Sequence, residues 1–357
     1  MKLLLVEDVL ECIADFESTL KRYNAQKETD ISFKIASSVE EAINLLDSSF
    51  DGAIIDLKLN DDEDGGNKVI AEIQGKYRIP IVVLTGTPSH LAGDTSPLLQ
   101  LCLRDDGYDP ALNFLSDIYN TGLTEILGGR GIFEKTLNAL FWKNIPEAIP
   151  HFISGNVSSD ITQVQLLRYT ISHMNELLEH TLGATSNSAE TYIYPPIRQS
   201  ITEGGIVNKI GTTDLYIVLT PACDISNDKA EFIQIVKIST ISNIKDVQDI
   251  IKLDKPLSKS KKSKLENKIK DLVRNKSSRF HYLPKFGPIL QESIVDFQHV
   301  QSVLCESFND KYEFQGNISG TFYKDLVNRF SNNYSRQGSP DYDFCKEENN
   351  LLNSFIV

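Results

Sequence analysis

The sequence predicts an α/β protein that begins with a doubly wound parallel sheet, continues through a helical linker and ends in a mainly β domain. Short continuous apolar runs at Leu3-Leu4-Leu5-Val6, Ala53-Ile54-Ile55 and Ile81-Val82-Val83-Leu84 suit strands buried on both faces of a parallel sheet. Helical patterns over residues 10–22, Val39–Leu46 and Lys68–Gln74 alternate with those runs, as crossovers between parallel strands require. From residue 205 onward the pattern changes to short strands separated by turn residues, the signature of antiparallel pairing.

Taken in order, the fourth apolar run is followed by a long link over residues 88–122, in which Ser96–Leu103 and Pro110–Tyr119 have helical patterns. Leu123–Leu127 is read as the fifth strand, running into the turn Gly128-Gly129-Arg130-Gly131 and then a helix over Ile132–Trp142. Pro146 and Pro150 disfavour helix at the residues before them and mark the end of this part, giving a first domain over residues 1–145. A helical linker, 146–200, carries a helix from Asp160 to Leu182 and a Thr/Ser/Asn/Pro-rich loop over 183–200. On that helix Val164, Leu167, Ile171, Met174 and Leu178 are spaced three, four, three and four, an apolar stripe that is read as packing on its own domain and that also admits a homodimer seam. His173 and His180 on the same helix are read as exposed or capping residues, because no histidine-kinase box surrounds them. Within residues 201–357, Gly205–Ile210, Leu215–Leu219, Glu231–Ile238, Phe280–Leu283, Ile294–Phe297 and Val300–Leu304 read as strands. A helix over Tyr323–Phe330 follows, then a polar segment, Ser331–Asp343.

Glu7-Asp8, Asp56 and Thr85 each stand at the C-terminal end of an apolar run, the side of an open α/β sheet on which ligands bind. Three carboxylates brought together repel one another, and a hard divalent cation such as Mg²⁺ relieves that repulsion through oxygen ligands. With its charge compensated, an aspartate can attack a phosphoryl donor and form an acyl phosphate. The order of these clusters resembles the receiver domains of two-component response regulators over about residues 1–145. The resemblance implies Mg²⁺ held by Glu7, Asp8, Asp56 and the backbone carbonyl of Lys58, with Asp56 as phosphoacceptor and Thr85 as the hydroxyl that contacts the phosphoryl group. It also implies a lysine after the fifth strand, usually in a Lys-Pro pair, which the sequence read in this register lacks. Two substitutes offer themselves. Arg130 brings a cation of different geometry, and the backbone N–H groups of Gly128 and Gly129 could face an anion; the alternative is a tight turn with no site. Asp61-Asp62-Glu63-Asp64 reads as a solvated acidic loop, and Gly65-Gly66 as the turn into the next helix.

Composition narrows the setting. The net charge of −13 is uneven: residues 1–144 hold 24 acidic and 13 basic residues, a balance of −11, leaving −2 for the remainder. So acidic a domain repels nucleic acid. There is no run of about 18 apolar residues to span a membrane and no cleavable signal pattern, so the expected location is the cytoplasm. Five widely spaced cysteines without a CxxC pair indicate neither a disulfide framework nor a structural zinc site.

In the second half Cys223-Asp224 is read as a packing cysteine beside a turn-forming aspartate, since an adjacent carboxylate opposes thiolate formation. Lys252–Arg279 holds 11 basic residues against three acidic ones, a solvated face first and a nucleic-acid surface second. Residues 206–238 loosely resemble the opening strands of SH3-like barrels of the PemK/MazF class. The expected function is a phosphorelay response regulator that takes phosphate from a histidine kinase. It would act through protein contacts with another regulator or effector, or as a phosphate sink, and would not be an enzyme beyond its own phosphorylation and dephosphorylation. The alternatives are a phosphorylation-gated nuclease or toxin-like effector and a nucleic-acid-binding regulator.

Overall fold

A computed structural model describes residues 1–155, 158–181, 186–252, 259–287, 289–335 and 343–356. The chain divides into two compact units, Met1–Leu182 and Gly183–Val357.

In the first unit, β1 (Lys2–Val6), α1 (Leu10–Lys27), β2 (Ser32–Ala36), α2 (Val39–Leu45), β3 (Gly52–Ile55), α3 (Gly65–Lys76), β4 (Ile81–Thr85) and β5 (Leu99–Leu103) form a parallel sheet of order β2-β1-β3-β4-β5. The apolar runs are continuous because both faces are covered. Leu4, Val6, Ile55 and Val83 pack with Ala42 of α2 and Val69 and Ile73 of α3. Leu3, Leu5, Ile54 and Val82 pack on the other face with Phe16 and Leu20 of α1 and with Leu112 and Leu115 of α4 (Asp109–Asn120).

The fifth strand departs from the sequence expectation. Leu99–Leu103 pairs with β4 in register, Ile81 opposite Leu99 and Thr85 opposite Leu103, whereas Leu123–Leu127 is a short helix, α5. Leu99 and Cys102 reach the core, while Ile126 and Leu127 are exposed, so the second run lacks the burial a central strand needs. Residues 86–98 consequently link two parallel strands with one 3₁₀ turn, Pro88–His90, and no α-helix. The helix expected over Pro110–Tyr119 is α4, and that over Ile132–Trp142 is α6 (Ile132–Lys143).

Pro146 and Pro150 do not end the helical region. They lie in α7 (Ile145–Ile153), Pro146 in its first turn, where an N–H has no helical partner to lose. The long helix α8 spans Ser159–Thr181, within one residue of its expected start; Leu182 and residues 183–185 lie outside the described residues. Tyr169 of α8 donates to Asn144 O at 3.4 Å and meets Phe152 edge-on, which seats one face of α8 on the preceding helices.

The second unit contains β6 (Tyr192–Ile193), β7 (Gly205–Lys209), β8 (Leu215–Val218), α9 (Ala222–Ser226), β9 (Phe232–Thr240), α10 (Lys245–Lys252), α11 (Lys259–Val273), β10 (Phe280–Leu283), β11 (Ser293–Leu304), α12 (Phe308–Lys311), β12 (Tyr312–Ile318), α13 (Gly320–Tyr334) and α14 (Phe344–Ile356). Its seven strands run antiparallel in the order β10-β11-β9-β8-β7-β12-β6. Among the described residues β10 and β6, the two ends of this order, do not pair with each other, so the sheet is open, not a closed barrel. The two strands expected over 294–304 are one strand, β11, with a register shift between Val295 and Val300. Alternate residues build separate cores on the two faces, Ile206, Ile217 and Val236 on one and Val207, Val218 and Ile235 on the other. The lysine-rich stretch forms α11 from Lys259, and its residues 253–258 are outside the description, as are 336–342 of the polar segment. Among the described residues no helix is long and apolar enough to cross a membrane.

Candidate functional site

Glu7, Asp8, Asp56 and Thr85 converge because parallel strands all present their C-terminal ends on one edge. Glu7 N donates to Ala36 O and Asp56 N to Val6 O, each at 3.0 Å, so the ladder fixes the backbone up to the acidic residues themselves. Glu7, Asp56 and Thr85 are buried, at 2%, 8% and 1% exposure. Carboxylate oxygens of Glu7, Asp8 and Asp56 lie within 4.8 Å of one another. The backbone orients each carboxylate: Val9 N donates to Glu7 Oε1 at 3.1 Å, Leu57 N to Asp56 Oδ1 at 2.9 Å and Asn60 N to Asp8 Oδ2 at 2.9 Å. Thr85 closes β4, and its hydroxyl accepts from Thr87 N at 3.2 Å. Lys58 lies two residues beyond Asp56, its side chain turned outward between the buried Leu57 and Leu59.

A residue the sequence reading missed completes the cluster. Arg104 is the first residue after β5, and its Nη2 sits 2.9 Å from Glu7 Oε2 and 2.7 Å from Asp56 Oδ2. Its Nη1 donates to Cys12 Sγ at 2.8 Å. Locating the fifth strand at Leu99–Leu103 therefore brings a cation to the place where the earlier register found none. The available signal was the alternation Leu99-Gln100-Leu101-Cys102-Leu103 followed directly by a charge, just as Ile55 is followed by Asp56.

Arg130 and the glycine turn are at the other end of the sheet. Arg130 Nη2 binds both oxygens of the buried Asp51, at 2.8 and 2.9 Å, and Asp51 in turn accepts from Lys2 N at the start of β1. Gly129 lies so close to Ser48 that an added Cβ would stand 2.6 Å from Ser48 Cβ. Neither Gly128, Gly129 nor Arg130 is brought to the acidic cluster. Asp62 of the acidic loop pairs with Lys68 at 2.6 Å and stays outside the cluster as well.

Burial pushes the Glu7 carboxyl above the usual carboxylate range, against the lowering effects of the Val9 N–H and of Arg104; Asp56 and Asp8 add to the upward push. Burial also raises the Cys12 thiol, with Glu7 next in effect. Burial works against the Arg104 charge, but Glu7 and Asp56 outweigh it and hold the guanidinium protonated. Three convergent carboxylates, two of them buried, are the donor set a small hard cation takes, and Mg²⁺ fits it by ligand chemistry.

Cys223 is exposed rather than packed, its Sγ 3.6 Å from Asp224 Oδ1. His281 Nδ1 faces Asp325 at 3.7 Å and His299 Nδ1 faces Asp296 at 3.8 Å. His173 on α8 bonds its own helix, Nδ1 to Tyr169 O at 2.9 Å.

No family profile and no curated protein matches the chain. Its N-terminal third is similar to solved response regulator receiver domains. One from Methylobacillus flagellatus is 17% identical, with 32% of this chain and 98% of that one covered and a TM-score of 0.27. A receiver protein from Sinorhizobium medicae is 23% identical over 34% of this chain and 94% of its own, with a TM-score of 0.26. The regulator TrrA of Thermotoga maritima, solved in complex with Mg²⁺-BeF, is 21% identical over 33% and 97%, with a TM-score of 0.26.

Proposed function

We propose that the N-terminal unit is a phosphoacceptor receiver in which Asp56 takes a phosphoryl group from the phosphohistidine of a histidine kinase. The observation that carries this reading is the meeting of Glu7, Asp8 and Asp56 with Arg104 at the C-terminal edge of one parallel sheet. An Asp56 oxygen attacks phosphorus, the N–P bond of the donor breaks, and the imidazole leaves with the electron pair. Leu57 N donates to Oδ1 of Asp56 and fixes the orientation of the carboxylate. The Thr85 hydroxyl stands at the end of the adjacent strand as a partner for the transferred oxygens, and Arg104, once it has left the Asp56 carboxylate, supplies positive charge to the phosphoryl oxygens. Glu7, Asp8 and Asp56 would hold Mg²⁺, with the Lys58 carbonyl as a further oxygen ligand, and when bound it would offset charge on the phosphoryl oxygens. Output passes through contacts of the second unit with a partner protein, or the site serves as a phosphate sink.

Incubation with acetyl phosphate or a kinase in the presence of Mg²⁺ is expected to label the wild-type protein and to leave Asp56→Asn unlabelled. Labelling that persists in Asp56→Asn would sink the assignment.

A further inference from the structure

We propose that Arg104 is a built-in counter-cation that competes with divalent metal for Glu7 and Asp56, so that metal enters only as the guanidinium withdraws. The inference deepens the receiver reading and rests on it for the metal's role, though not for its test. Three observations carry it. First, one nitrogen, Nη2, bridges Glu7 Oε2 and Asp56 Oδ2 at 2.9 and 2.7 Å, so the guanidinium engages two of the three carboxylates that would hold a metal. The other oxygens of these two groups accept from Val9 N and Leu57 N, so the guanidinium takes the pair that the backbone does not hold. Second, the Arg104 side chain is 31% exposed over carboxylates that are 3% and 9% exposed, so the guanidinium stands between them and solvent. Third, Nη1 is anchored on Cys12 Sγ at 2.8 Å, a second hold made through a separate nitrogen of the planar fork.

The exchange replaces one positive charge by two. With Arg104 in place the three carboxylates carry one compensating positive charge, and with a divalent ion they carry two. A guanidinium does not lose its proton in a protein, so it yields the carboxylates only by moving. Low metal concentration therefore keeps Asp56 capped and unavailable as a nucleophile, and rising metal uncaps it.

The test is a titration of the full-length protein with Mn²⁺, read by calorimetry or by the electron paramagnetic resonance of free Mn²⁺, with no phosphoryl donor present. Arg104→Gln is expected to bind about tenfold more tightly than wild type, the equivalent of one charge-assisted hydrogen bond released. Arg104→Lys, which keeps a charge and decides the matter if the glutamine variant fails to fold, is expected to fall between the two. Equal or weaker binding in the folded variants overturns the competition. That result leaves Asp56 labelling untouched, whereas labelling that survives in Asp56→Asn defeats the receiver reading and leaves the titration standing.

Discussion

Burial and backbone pull Glu7 in opposite directions. Removal from water raises its carboxyl, while the Val9 N–H and Arg104 stabilise the ionised form. A carboxyl whose folded pKa lies above its unfolded value favours folding while protonated, and that contribution is lost as pH rises through the folded pKa. Glu7→Gln should therefore melt at higher temperature than wild type near pH 7 in metal-free buffer, with the gap narrowing as pH falls toward the ordinary carboxylate range. A series of melts against pH checks both the sign and the window. Arg130 offers a contrasting residue. Removing it leaves the buried Asp51 without its bidentate partner, and because Arg130 is half exposed the cost should be about 1–2 kcal/mol in urea denaturation. Labelling of Asp56 should be unchanged in Arg130→Ala, since Asp51 precedes β3 and Asp56 follows it.

At the scale of elements, α3 meets the end of β3 so closely that only glycine fits at its second residue. A Cβ on Gly66 would stand 2.2 Å from the Asp56 carbonyl oxygen and 2.6 Å from Leu57 Cα, and Gly66 N donates to Leu57 O at 2.9 Å. Neither Gly65 nor Gly66 has positive φ, so the need is for close approach and not for an unusual turn. Gly66→Ala should cost about 1–3 kcal/mol by overpacking and, on the proposed function, also slow Asp56 labelling, because the backbone that must shift carries Asp56. Chemical denaturation and a labelling time course measure the two effects separately. The elements themselves were unevenly legible. Strands β1, β3 and β4 stand out as unbroken apolar runs, because both faces of each are buried. Leu99–Leu103 sits at the edge of the sheet with Leu103 exposed, so its pattern is broken and passes for a helix. Leu123–Leu127 is apolar enough for a strand, yet Gly122 and Gly128 bound a single short helix there.

Across the whole molecule, each unit carries cores of its own. Phe16 lies fully buried with Leu20, Leu112 and Leu115 on one face of the parallel sheet, edge-on to Phe33 and Tyr108. Phe16→Ala should destabilise the first unit by about 3–5 kcal/mol. Hydrogen exchange is the apt measurement, with faster exchange expected at the amides of β1, β3 and β4. The acidic balance of residues 1–144 belongs to this scale too: 24 acids against 13 bases set a field hostile to polyanions around the acidic edge of the sheet, while α11 carries part of the basic stretch. The second unit had strands that could be read from turn residues and β-branched runs, but its open order, the joining of 293–304 into one strand and the helix over 344–356 depend on pairings and packing that no local period encodes.

The sequence by itself determined the alternation of strand and helix in the first unit and, with it, the common edge shared by Glu7, Asp8, Asp56 and Thr85. Those residues follow directly on runs whose burial demands strands, and parallel strands have only one C-terminal edge. Only the tertiary structure decided which arginine joins them. That choice turns on which segment pairs with β4, a contact between residues distant in the chain whose stability comes from filling an open sheet edge. Arg104 reaches Glu7 across 97 positions and Arg130 reaches Asp51 across 79, and the local pattern around each arginine says nothing about which carboxylate it will meet.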